Sequence, residues 1–173
     1  MRAPIFWGSA VFLAVLSVGV GCAYAVNTSV SVSATGNTRL SAVSAEQEKA
    51  IVTIETHTLD IGKPSDPVPN KPETNCTYSR YPCSLVDRID FSVDGKAVFT
   101  ARSVFADISD INSASLSVVG QVFILSLKCG DASESYEATI KFDDGQVLER
   151  TITLPGTGYV MQETKYFTMP SMN

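Results

Sequence analysis

Cys76 and Cys83 stand with six residues between them in NCTYSRYPCSL (75–85), and Cys129 ends the apolar run VFILSLKC. Such a pair can clip a loop, hold a metal or carry redox chemistry. A tetrahedral zinc site needs a second Cys/His cluster, and His57 is the only histidine in the chain. A redox pair wants two intervening residues at a helix start, whereas Pro82 directly precedes Cys83 here. A structural disulfide remains. Bridging Cys76 to Cys83 would close a short loop worth about 2.5 kcal/mol in the chain-entropy model. Bridging either to Cys129 would close a loop of roughly 50 residues worth about 4 kcal/mol. The short bridge is the expectation, because Cys129 shares an apolar face with Phe123, Leu125 and Leu127, where a free thiol packs as a small hydrophobe. The alternatives are a bridge to Cys129 and no bridge at all.

A clipped loop would present Tyr78, Arg80 and Tyr81. Tyrosine and arginine are enriched at binding hot spots, and a constrained loop loses less entropy on binding. This loop is therefore the candidate recognition surface; the plainer reading packs the tyrosines over nearby prolines.

Other chemistries find less support. Histidine-assisted nucleophilic catalysis would rest on His57 alone, in a threonine-rich segment, with no G-x-S-x-G elbow. Acidic pairs occur at Asp107/Asp110, Asp131/Glu134 and Asp143/Asp144, all in expected turns or polar faces. Glycosidase work needs two acids held across a cleft. The run DISDIN (107–112) clusters oxygen ligands but departs from the calcium-loop spacing. No metal or other cofactor is expected, and no catalytic residue is assigned.

The first 25 residues have the form of a cleaved secretory signal: Arg2, the apolar run Ile5 to Val20, then Ala23-Tyr24-Ala25. The competing readings are an uncleaved membrane anchor and a lipid anchor at Cys22, where Gly19 stands in place of the branched residue lipidation favours. After cleavage about 148 residues remain, enough for one core, and no membrane insertion is expected. The chain carries 13 basic and 18 acidic residues, net −5, and loses Arg2 with the signal. That balance argues against nucleic acid and anionic lipid as partners. It suits an acidic exported protein, or one that meets a basic partner.

The elements that must position these residues are read from periodicity. Residues 26–61 form a Ser/Thr/Val-rich leader with weak strands at Val26 to Ser33 and Ala50 to Ile61. Residues 62–75 include GKPSDPVPNKPE, whose prolines exclude helix and central strand, and read as a linker. Residues 76–173 read as a compact mainly-β domain, in which from Leu85 onward the period is mostly two, broken by Asp94-Gly95, Gly120, Gly130-Asp131, Asp143-Asp144-Gly145 and Pro155-Gly156. Val104, Phe105, Ile108 and Ile111, behind Ser103 as a cap, predict one short helix over 104–111. Arg150 stands out of pattern between Leu148 and Ile152. The fold expected is mainly β: an antiparallel β-sandwich or curled meander sheet of about six strands with that inserted helix, or alternatively an α+β two-layer fold.

The functional expectation is a non-enzymatic binding protein of the periplasm or cell exterior. It would engage another exported or envelope protein as an inhibitor or immunity-type partner. The alternatives are a structural or adhesive envelope component assembling by strand addition through its leader, and an enzyme without a readable motif.

Overall fold

The computed structural model describes residues 29–62, 76–77 and 80–167. The expected signal, Cys22, most of the proline-rich stretch and Tyr78 lie outside the described residues.

Strict alternation dominates the described chain, and it folds into ten strands in two antiparallel sheets. β1 (Ser29–Ser31) pairs with β6 (Ile111–Val119), followed in order by β7 (Val122–Cys129), β8 (Tyr136–Phe142), β9 (Val147–Thr153) and β10 (Val160–Lys165). The second sheet runs β2 (Gly36–Val43), β3 (Lys49–Leu59), β4 (Cys83–Val93), β5 (Lys96–Val98). The expected sandwich is thus the architecture present; the single meander and the two-layer α+β forms are not.

One residue in two along each central strand faces inward. Val52 and Ile54 of β3 and Ile89 and Phe91 of β4 meet Phe123, Leu125 and Leu127 of β7 and Ile140 and Phe142 of β8 in one core. Phe142 joins the layers: its ring centroid lies 4.5 Å from that of Phe91 and 5.5 Å from that of Phe123. Residues of the 26–61 segment are built into both sheets. β1 is hydrogen-bonded to β6 and β3 to β4, and Leu40, Ala50, Val52 and Ile54 share the common core.

Asp94-Gly95 makes the β4–β5 turn as expected, with both residues at positive φ (49° and 79°). The helix over 104–111 is not formed. A single 3₁₀ turn spans Arg102–Val104, without a side-chain cap. Asp110 then takes a φ of 48°, which no right-handed helix can contain. Ser109 bridges to Leu85, and β6 starts at Ile111. The apolar residues that mimicked a helical stripe are buried nonetheless, because this connection crosses one end of the sandwich and turns Val104, Phe105 and Ile108 onto the core.

Candidate functional site

Cys76 and Cys83 form a disulfide with Cα atoms 5.6 Å apart. The bond, Ile61 and the partly buried Leu59, Tyr81 and Leu85 make a satellite apolar cluster beside the main core. Tyr81 therefore packs partly buried against the disulfide, with its hydroxyl inside. Arg80 has other partners. Its amide donates to the Thr77 carbonyl (3.1 Å), and its guanidinium donates to the Asn112 side-chain oxygen. Asn112 in turn donates to the Gly130 carbonyl (2.7 Å). The structure thus brings Arg80, Tyr81 and the disulfide together, and ties them to the start of β6 and the end of β7.

Asp110 anchors this loop. Its side chain is buried, and its carboxylate accepts the amides of Thr77 and Ser84, each at 2.8 Å. Its own amide donates to the Ser84 carbonyl (2.6 Å), and its carbonyl accepts from Gly130 (3.0 Å). One side chain therefore holds residues on both flanks of the disulfide. The sequence offered Asp110 as half of an acid pair with Asp107, but the two serve different partners. Among the described residues no group of three or more His, Cys, Asp or Glu side chains could hold a metal ion.

Beside the disulfide an open cavity of about 500 Å³ enters the end of the sandwich. Cys76 and Thr77 form one wall; Ser133, Glu134 and Tyr136 form another. Gly130 sets that second wall. Its φ is 71°, and a Cβ there would run into the Glu134 carbonyl, so only glycine admits the tight turn into Ala132–Glu134. The hairpin β9–β10 supplies Ile152, Leu154, Met161 and Gln162. Met161 and Gln162 are consecutive yet both line the cavity, because a register shift between Val160 and Gln162 bulges the strand.

Arg150 sits at the cavity with a side chain only 2% exposed. One guanidinium nitrogen contacts Asp107 Oδ1 at 2.5 Å and the other donates to Gln162 Oε1 at 3.2 Å, while Nε is buried without a partner. This is the residue that broke the alternation of β9. Taking a lone guanidinium out of water costs several kcal/mol, so its tolerance at that position depends on Asp107, supplied by the connection that was expected to be helical.

Cys129 is a free, buried thiol at the end of β7, as its apolar face implied. Burial pushes it up to about 12, against a smaller opposing effect of its hydrogen bond with Tyr136. Burial likewise raises Tyr136, whose hydroxyl accepts from the Ser109 amide (3.0 Å). His57 lies far from this chemistry in character: it is half-exposed and contacts Asp87 at 2.7 Å. The adjoining depression is lined by Leu85, Val86, Arg102 and Phe105 among others, with no serine, threonine or cysteine among the described residues that line it.

The disulfide fits an oxidising compartment, and among the described residues no helix is long and apolar enough to cross a membrane. No protein-family model, no curated protein and no solved structure matches the chain.

Proposed function

We propose that this is a protein exported to the periplasm or cell exterior that acts there as a non-enzymatic binding protein. It holds a basic segment of another exported or envelope protein, in the manner of an inhibitor or immunity-type partner. The observation that carries this reading is the cavity beside the disulfide. Its volume is in the range of sites that take a side chain or small ligand. Among the described residues its walls combine apolar Ile152, Leu154 and Met161 with the acidic Asp107 and Glu134, against one cation, Arg150. An apolar stem ending in a positive charge, as in lysine or arginine, matches that lining. The net charge of −5 favours a basic partner at long range, and the signal-like first 25 residues support export.

Two positions test it. A photo-crosslinking residue at exposed Ser133, on the cavity lip, should capture one defined envelope protein. The same residue at exposed Lys96, beyond the opposite end of β4, should not. Glu134→Lys should lower the captured yield about tenfold, the equivalent of about 1.4 kcal/mol. Equal capture from both positions, or a yield indifferent to Glu134→Lys, would sink the proposal.

A further inference from the structure

The six-stranded sheet ends on β10, and among the described residues nothing pairs with its outer side. The other sheet edges are managed differently. β1 and β5 are three residues each, too short to template a partner. β2 lies close to β6 of the facing sheet. β10 runs six residues without proline, and most of it is exposed. Around it Tyr159 (65% exposed), Met161 (56%) and Phe167 (85%) leave large apolar side chains in solvent.

The direction of its free backbone groups is known. The Tyr166 amide donates to the Leu148 carbonyl at 3.0 Å, so Tyr166 and, by alternation, Thr164 turn their backbone toward β9. Thr164 pairs with Arg150 in the same ladder. Glu163, Lys165 and Phe167 therefore direct their amides and carbonyls outward.

Outward groups can meet only outward groups, so a symmetric antiparallel pair must be centred on a residue and not between two; within the outward-facing charged run the centres are Glu163, Thr164 and Lys165. A centre at Glu163 sets carboxylate against carboxylate, and one at Lys165 sets ammonium against ammonium; both are disfavoured. A centre at Thr164 places Glu163 opposite Lys165 of the second copy and Lys165 opposite its Glu163. It also carries Phe167 alongside Val160 and Met161 of that copy. Glu163 and Lys165 now pair within one strand at 2.8 Å, both about half exposed, and are free to exchange partners.

We propose that β10 is a homodimerisation edge: two copies of this chain join antiparallel about Thr164 into one continuous sheet, with register set by reciprocal Glu163–Lys165 pairs. A lysine on an edge strand normally discourages pairing; a glutamate two residues before it makes this edge selective for itself.

Sedimentation velocity of the processed protein over a concentration series tests this. The wild-type chain should show a monomer–dimer equilibrium. Glu163→Lys and Lys165→Glu, both exposed and confirmed as folded by circular dichroism, should each weaken it at least about tenfold. An equimolar mixture of the two variants should dimerise again, because each strand then carries the charges the other lacks. A wild-type monomer at every concentration, a dimer unaffected by either reversal, or a mixture that stays monomeric would each overturn the proposal. Neither residue lines the cavity, so partner capture at Ser133 succeeds or fails independently.

Discussion

Cys129 shows how an inert residue can be as informative as a reactive one. It was placed by its neighbours on β7, and its burial keeps the thiol protonated far above the ordinary value near 9. Because the folded-state value is raised, the stabilising contribution is complete below about pH 9. It is lost as pH rises toward about 12, where the unfolded chain ionises and the folded one resists. Tyr136 shifts in the same direction and steepens the loss. Urea titrations should therefore show stability falling between about pH 9 and about pH 12, with a shallower fall for Cys129→Ala. An identical alkaline profile for the variant would remove Cys129 from this account. Arg150 makes the complementary point. Its place in the alternation marked it as odd, but only the neighbouring Asp107 and Gln162 explain how it stays inside.

The connection between β5 and β6 is where local pattern and tertiary packing disagreed. Apolar spacing at 104, 105, 108 and 111 has a helical period, yet the same residues can be buried by a chain that folds irregularly over the sheet ends. What settles it is Asp110, whose left-handed backbone and doubly occupied carboxylate hold the disulfide loop against the start of β6. Hydrogen bonds from amides to an ionised carboxylate are worth about 1.5–3 kcal/mol each. Asp110→Gly keeps the backbone conformation accessible and removes the acceptor, at the added entropic cost of a glycine, so it should destabilise the protein by about 3 kcal/mol or more. A change in urea midpoint equivalent to less than about 1 kcal/mol would mean the carboxylate does not organise the loop. The loop itself was legible from two cysteines; its anchor was not, because an aspartate in a polar run carries no signal of what amides lie nearby.

For the molecule as a whole, the decisive fact is that residues 36–59 contribute β2 and β3, half of one sheet. Their Ser/Thr/Val-rich composition, weak alternation and the proline-rich stretch after them suggested a leader followed by a separate body. In the sandwich, Val52 and Ile54 cover the inner face shared with Ile89 and Phe91. A fragment of residues 76–173 would leave that face in water, losing burial worth about 1.5–3 kcal/mol for each large side chain. Against a typical total stability of about 5–15 kcal/mol, the fragment should fail to fold. Circular dichroism should show no cooperative thermal transition, and a cooperative transition near that of the processed chain would contradict the shared core.

The strand Gly36–Val43 carried no clear signal, but the other long strands, the hairpin turns, the cysteine that stays free and the two that close a short loop were legible in the chain alone. These depend on side-chain period, glycine and chain distance, all local quantities. Only the packed layers show which strands share a sheet, that the early segment belongs to the core, that Asp107 meets Arg150 across 43 positions, and which edge is unpaired among the described residues. Those outcomes depend on how two twisted layers stack, which brings together residues whose separation along the chain carries no trace of their contact.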